Sequence, residues 1–134
     1  MITFEHPLSE RVRNFLRIEY LFKRFQDEIV CSDSVWAHHL ALATLFDIME
    51  CAARAELKLD ILQELERQKQ MMVQNRDRQS ALLLQEDLKQ VAQGLLGIQQ
   101  KFGQHLRENE WLMAIKQRML VPGGTSPFDV PSYY

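Results

Sequence analysis

The sequence predicts an all-α protein, an antiparallel helical bundle of about five helices followed by an irregular C-terminal tail. Glycine and proline, which break helices, are scarce: the 134 residues contain five glycines and four prolines. Two of these glycines and three of these prolines follow Leu120. Before that point, apolar residues recur at spacings of three and four, which places them on one face of a helix. We therefore expect helices up to about residue 121 and turns after it.

The first helix is predicted from Pro7 to about Ile29. Proline suits the first turn of a helix, because the N–H that it lacks would have no partner there. Ser9 is the alternative start of this helix, as an N-cap. Seven apolar side chains gather into one broad arc when the segment is placed on a helical wheel. We expect this arc to face a core; it consists of Leu8, Val12, Phe15, Ile18, Phe22, Phe25 and Ile29.

The second helix is predicted within CSDSVWAHHLALATLFDIMECAARA, with Ser32 or Ser34 as its N-cap. The segment is apolar around most of its circumference, which is typical of a helix surrounded by others. We therefore expect it at the centre of the bundle. Its two adjoining apolar faces contain Trp36, Leu40, Ala43 and Phe46 or Asp47 on one side, and Leu42, Leu45 and Met49 on the other.

The next two helices are predicted to run antiparallel. The segment AELKLDILQELERQKQMM is rich in strong helix formers, and residues 75–77 supply a turn-like connection. The fourth helix has apolar residues at alternating spacings of three and four, the a/d pattern of a helix that packs along a neighbour. This stripe forms either an intramolecular seam or a dimer interface, and the size of the chain favours the seam. Its members are Ala81, Leu84, Leu88, Val91, Leu95, Ile98 and Phe102.

The last helix is predicted in EWLMAIKQRML, with Asn109 as its N-cap. Gly103 either ends the fourth helix or marks a break after it. The segment VPGG closes the last helix, because proline and glycine do not continue it. The sequence thus predicts a helical bundle domain at 1–121 and an irregular tail at 122–134.

Composition and charge exclude several classes of protein. The formal net charge is −2 and the pI is about 6.1, whereas domains that coat nucleic-acid backbones are usually strongly basic. No apolar run approaches the roughly 20 residues that a membrane-spanning helix needs, and the N-terminus lacks the features of a secretory signal. We therefore expect a cytoplasmic protein that binds neither a membrane nor nucleic acid.

No group of residues favours catalysis or metal binding. His38 and His39 are adjacent, so on a helix they point about 100° apart and cannot both ligate one metal. Cys31 and Cys51 form no zinc-binding spacing with them and are interpreted as buried free thiols. The carboxylates come with no nucleophile, positioned histidine or phosphate-binding loop. We expect no enzyme activity, no metal and no cofactor.

Cationic residues mark the candidate binding surface. Three arginines of the first helix and Tyr20 share spacings of three and four, so they form a strip opposite the apolar arc. Three cations near the other end of the chain would extend this strip if the last helix lay beside the first. The arginines of the strip are Arg13, Arg17 and Arg24, and the later cations are Arg107, Lys116 and Arg118.

The alternative interpretation gives these arginines no partner outside the chain. Each would pair with a helix neighbour, for example Glu10 with Arg13 or Arg24 with Glu28, and only make the surface soluble. Such exposed pairs are common and contribute little to stability. Spacing alone leaves both interpretations open.

Several segments resemble the ZapD family of bacterial cell-division proteins. The opening FEHPLSERVRNFLRIEYLF is similar to the start of that family, and the long length of this block makes the likeness specific. The segments DILQELERQ, HLREN, KQRMLVPGG and FDVP follow in the same order as in the family. Together they span most of the chain, whereas the region from Val30 to Ala55 matches only in pattern.

The resemblance implies a non-enzymatic adaptor of the division ring. Such a protein is a homodimer that binds the acidic, partly apolar C-terminal tail of FtsZ at the division site. It cross-links or bundles FtsZ filaments and so promotes assembly of the Z-ring, without a cofactor. The family has a helical N-terminal domain followed by a β-rich C-terminal domain, and we expect this chain to end where the second domain begins.

The resemblance also implies that FtsZ binds a basic surface. Arginine suits an acidic tail, because its planar guanidinium presents several donors to a carboxylate. Glu110 stands where the family has a second basic residue after RE, which weakens or relocates part of this surface. The alternative function is a helical nucleic-acid-binding or structural interaction module that uses the same arginine strip. The matching motifs contain Arg17, Arg107, Lys116 and Arg118, whereas Arg13 and Arg24 are included from their spacing alone.

Overall fold

The computed structural model describes residues 6, 8–30, 35–54, 56–74 and 78–131. No strand occurs in these ranges, so the all-α prediction is confirmed. None of the described helices is long and apolar enough to cross a membrane. The described helices are α1 (Glu10–Val30), α2 (Val35–Arg54), α3 (Leu57–Gln74), α4 (Arg78–Gly97), α5 (Gln104–Arg107) and α6 (Glu110–Met119).

Contacts divide the chain into two compact units. Unit 1 comprises Met1–Arg54 together with Gly103–Tyr134, and unit 2 comprises Ala55–Phe102. In unit 1, α2 packs against both α1 and α6, and α5 packs against α6. In unit 2, α3 packs against α4. The division into a bundle at 1–121 and a tail at 122–134 stays a prediction.

Helix α1 begins after Ser9. The backbone N–H of Val12 donates to Ser9 Oγ at 3.2 Å, and the N–H of Arg13 donates to the Ser9 carbonyl oxygen at 3.0 Å. These two bonds make Ser9 the N-cap, because they satisfy N–H groups that lack partners in the first turn. The alternative start at Ser9 is therefore confirmed.

Some predictions concern residues outside the described part of the chain. Among the described residues, Cys51 is a free thiol that is half-buried. The predictions that lie outside the described residues are the helix start at Pro7, the cap at Ser32 or Ser34, the turn at 75–77, the thiol of Cys31 and the aromatic end at Tyr133 and Tyr134.

The apolar arc of α1 is only partly covered. The prediction that the whole arc faces a core is wrong for the members that are exposed, which are Leu8, Val12, Phe22 and Ile29. Phe15 and Ile18, from the same arc, are half-buried. The reason is that α1 packs mainly against α2, and one neighbouring helix covers only one side of a broad arc.

Helix α2 lies at the centre of unit 1, as predicted. It packs on two other helices and supplies most of the buried side chains in the described residues. The predicted face with Trp36 and Leu40 is wrong for these two residues, which are exposed. A neighbouring face lined by smaller side chains is covered instead, because small residues let helices approach closely. The buried residues of α2 are Ala37, Ala41, Thr44, Phe46, Ile48 and Met49.

The core of unit 1 joins α2 to α6. Met49 and Ile115 are 1% and 2% exposed, and they form one cluster with Phe46 and Leu112. Asn109 Oδ1 accepts the N–H of Leu112 at 2.9 Å, which confirms the predicted N-cap of α6. The C-terminal tail also reaches this core, since Val130 packs against it. The partly buried residues around the cluster are Leu42, Leu45, Leu106, Met113, Met119 and Val130.

Helix α4 ends at Gly97, before the predicted end at Phe102. The N–H of Ile98 donates to the Leu95 carbonyl oxygen at 3.3 Å, and the Lys58 ammonium donates to the carbonyl oxygen of Ile98. These bonds satisfy backbone groups at the end of the helix. Gly103 has a φ of 75° and directly precedes α5. It therefore marks a break between α4 and α5, which confirms the second of the two alternatives predicted for this residue.

Candidate protein-binding site

The six predicted cations all belong to unit 1. Arg13, Arg17 and Arg24 lie on α1, whereas the other three lie on α5 and in the last turn of α6. The hypothesis of one merged surface required the last helix to lie beside the first. Among the described residues, α1 packs against α2, and α6 packs against α5 and α2. Helix α2 is thus the shared support that positions both groups of cations.

Arg13 and Arg17 are brought together by one carboxylate. Arg13 Nε lies 3.7 Å from Glu10 Oε2, and Arg17 Nη1 lies 3.6 Å from Glu10 Oε1. Arg17 Nη1 also donates to Asn14 Oδ1 at 3.3 Å. All three charged side chains are exposed, and exposed ion pairs with N···O distances of this length contribute little to stability. Two guanidinium groups against one carboxylate leave this surface positive and open to an acidic partner.

Arg24 has a tighter, structural contact. Its Nε donates to Glu28 Oε1 at 2.8 Å, and only 15% of the Glu28 side chain is exposed. This hydrogen bond raises the pKa of Arg24, and the negative charges of Glu28 and Asp47 raise it further, whereas burial opposes the shift. The predicted neighbour pair is therefore present. Arg24 neutralises a half-buried carboxylate and is less available than Arg17 to a partner.

Arg107 and Lys116 are held on consecutive residues of α2. Arg107 Nη2 donates to the Met49 carbonyl oxygen at 3.2 Å, and the Lys116 ammonium pairs with the Glu50 carboxylate. A carbonyl near the C-terminal end of a helix is a favourable partner for a cation. The two cationic groups therefore lie close together beside the end of α2. Sequence reasoning missed both partners, because the paired residues are 58 and 66 positions apart.

Arg118 is exposed, and its guanidinium has no hydrogen bond or ion pair within the described ranges. The backbone beside it is fixed by the glycines of the PGG segment. Gly123 has a φ of 71°, a conformation that favours glycine. A Cβ at Gly124 would collide with the carbonyl oxygen of Arg118. Gly124, which belongs to the KQRMLVPGG segment that resembles the ZapD family, thus packs closely against the backbone of Arg118.

Replacing Gly124 with alanine should lower the free energy of unfolding by about 1–3 kcal/mol, because the new methyl group overpacks the space around Gly124, which is buried. It would lie 3.0 Å from the Val121 side chain in addition to the clash with Arg118. Urea unfolding followed by circular dichroism measures this cost. Gly97→Ala is the matched control, since an added Cβ there meets nothing within 4 Å. Equal stabilities of the two variants would contradict the close contact at Gly124.

Glu110 is separated from the cations at the end of its helix. It is the first residue of α6, where a carboxylate interacts favourably with the helix N-terminus. Lys116 and Arg118 lie in the last turn of the same helix. Eight residues of helix place Glu110 about 12 Å along the axis from Arg118. Glu110 is therefore poorly placed to neutralise the last-turn cations through the intervening solvent.

Comparison with known proteins identifies the family. A family model described as ZapD, a cell division protein, matches residues 16–134. Relatives called "Cell division protein ZapD" include those of Chromobacterium violaceum, 50% identical, Janthinobacterium sp., 46% identical, and Azoarcus sp., 45% identical, each over 139 aligned residues. These alignments cover 100% of this chain and 55% of each relative, so the chain spans about half the length of the curated relatives it matches. The chain belongs to the ZapD family of cell division proteins.

Proposed function

We propose that this chain binds the acidic C-terminal tail of FtsZ through the cations of unit 1. As a homodimer in the cytoplasm, it brings two tails together at the division site. Two tails held by one particle cross-link neighbouring filaments, which promotes their bundling and the assembly of the Z-ring. The proposal assigns no catalytic step and no cofactor to the chain.

The observation that carries the proposal is the arrangement of cations around α2. Arg13 and Arg17 form one exposed positive group, Arg107 and Lys116 form a second beside the end of α2, and Arg118 adds an exposed cation in the last turn of α6. The chain as a whole has a formal net charge of −2, so these groups are local features. Local positive groups suit a short acidic peptide, since a long phosphate backbone is usually met by a strongly basic domain.

Exposed apolar side chains in the same segment as Lys116 and Arg118 suit the aliphatic part of such a tail. Trp111 on α6 and Val121 after it are exposed, and both lie close in sequence to Lys116 and Arg118. A peptide that places its carboxylates on the arginines can cover these side chains at the same time. Carboxylate–guanidinium contacts would orient the bound peptide, and the apolar contacts would add affinity.

A labelled peptide of the FtsZ C-terminal tail, titrated against the chain by fluorescence anisotropy at low and high salt, tests this function. We expect binding that weakens as salt is added, because screening reduces attraction between exposed charges. A peptide with its Asp and Glu residues replaced by Asn and Gln is the matched control and should bind more weakly. Absence of binding at every salt concentration would reject the proposal for this chain, and salt-steep binding of duplex DNA would favour the nucleic-acid alternative.

A further inference from the structure

Glu50 places a carboxylate inside the second group of cations. It follows Met49, whose carbonyl oxygen accepts a hydrogen bond from Arg107 Nη2 at 3.2 Å, and its own carboxylate pairs with the Lys116 ammonium. All four residues belong to unit 1. The carbonyl of Met49 carries no formal charge, so one carboxylate stands against two cations. An acidic partner that approaches Arg107 and Lys116 therefore meets a negative charge of the chain itself.

The ion pair of Lys116 with Glu50 is accessible from solvent. The side chain of Glu50 is 50% exposed, and that of Lys116 is 28% exposed. Arg107, beside them, is exposed as well. A carboxylate of a partner can thus approach the Lys116 ammonium and take the place of Glu50.

The packing of α6 on α2 does not depend on this ion pair. The two helices are already joined by a buried apolar cluster that contains Met49 and Ile115. Exposed ion pairs contribute little to stability, because water solvates both charges well when they separate. Exchange of Glu50 for another carboxylate on Lys116 would therefore leave the fold of unit 1 intact.

Glu10, in the first group of cations, provides a contrast. Its carboxylate oxygens lie 3.7 Å from Arg13 Nε and 3.6 Å from Arg17 Nη1, and both distances are too long for a hydrogen bond. The Lys116 ammonium instead donates a hydrogen bond to Glu50 Oε1. Hydrogen bonds between charged groups are the stronger kind. An internal carboxylate therefore competes with a partner more strongly at Lys116 than at the arginines of α1.

We propose that Glu50 is a specificity-determining residue that competes with the partner's carboxylate for Lys116. A single carboxylate has to replace Glu50, which α2 always holds close to Lys116. A peptide that pairs one of its carboxylates with Arg107 brings the next one to Lys116 at a high effective concentration. The site therefore selects acidic peptides with at least two neighbouring carboxylates. This inference rests on the proposed function and states which acidic partners the site accepts.

Glu50→Gln tests the competition, because it removes the charge and keeps the size of the side chain. We expect the labelled FtsZ tail peptide to bind about threefold to sixfold more tightly, which is the factor by which an exposed ion pair of ordinary strength reduces the available fraction of Lys116. Glu19→Gln is the matched control, since it breaks an exposed 2.6 Å pair with Lys23, outside both groups of cations. It should change the Kd by less than about twofold. Equal gains in both variants would overturn the proposal.

Lys116→Gln shows whether the gain depends on the ion pair. In this background, Glu50→Gln should tighten binding no more than the control does, because no ammonium remains for which Glu50 competes. The same gain with and without Lys116 would overturn the competition. The urea midpoint of Glu50→Gln should stay within about 0.3 M of the parent chain. A larger loss would show that the pair is structural and would also overturn the proposal.

Labelled hexaglutamate is a second probe, which offers neighbouring carboxylates and does not depend on FtsZ. It should show the same gain with Glu50→Gln. Acetate should displace it from the parent chain no more than chloride does at the same ionic strength, and stronger displacement would overturn the selection for neighbouring carboxylates.

The two probes separate this inference from the proposed function. If the FtsZ peptide binds but neither probe gains affinity with Glu50→Gln, the proposed function stands and the competition fails. If the FtsZ peptide fails to bind while hexaglutamate shows the gain, the competition stands and the FtsZ-binding function fails. Absence of binding of both probes to the parent chain and to Glu50→Gln would overturn both.

Discussion

Replacing Ile115 with alanine should lower the free energy of unfolding of unit 1 by about 2–5 kcal/mol. Ile115 is 2% exposed and lies in the cluster that joins α2 to α6. Its removal takes apolar surface out of the core and leaves a cavity that surrounding side chains fill only in part. The cost is a large share of the total stability of a small domain.

Urea unfolding followed by circular dichroism at 222 nm measures this effect. Leu120→Ala is the control, because Leu120 is an aliphatic residue at the end of the same helix and is 80% exposed. An exposed residue away from special contacts should change stability by no more than about 0.5 kcal/mol. If Ile115→Ala cost no more than the control, α6 would not be anchored on α2 as described.

This core was only partly foreseeable from the sequence. The N-cap at Asn109 was correctly predicted, because it depends on one side chain and an N–H three residues later. The central position of α2 was also correctly predicted from its nearly continuous apolar surface. The exposure of Trp36 was not foreseen, because a helical wheel shows which residues share a face but not which face a neighbour covers. That choice depends on tertiary packing.

In the candidate site too, contacts between residues close in sequence could be predicted, whereas contacts between distant residues could not. The pairs of Glu10 with Arg13 and of Arg24 with Glu28 were foreseen, since residues three and four apart are neighbours on a helix. The contact of Lys116 with Glu50 was not, because it exists only when α6 packs on α2. The grouping of cations around α2 is thus a product of the fold.

Charge reversal at Arg118 should weaken binding of the FtsZ tail peptide about tenfold, which corresponds to about 1.4 kcal/mol. The guanidinium is exposed and has no partner within the described residues, so the change should leave the far-ultraviolet circular dichroism spectrum unaltered. Lys101→Glu is the control, because it changes the net charge by the same amount on an exposed residue of unit 2. A similar loss in both variants would show that only overall charge matters.

Arg17→Glu extends this test to α1. Its weak pair with Glu10 suggests that Arg17 is also available, so we expect a comparable loss of affinity in a folded protein. If one bound peptide touches both groups independently, the double variant should lose about the product of the two single losses. If only the α6 group binds, Arg17→Glu should match the Lys101→Glu control. Anisotropy titrations of the four variants at one salt concentration therefore decide whether the two groups around α2 form one binding surface or two.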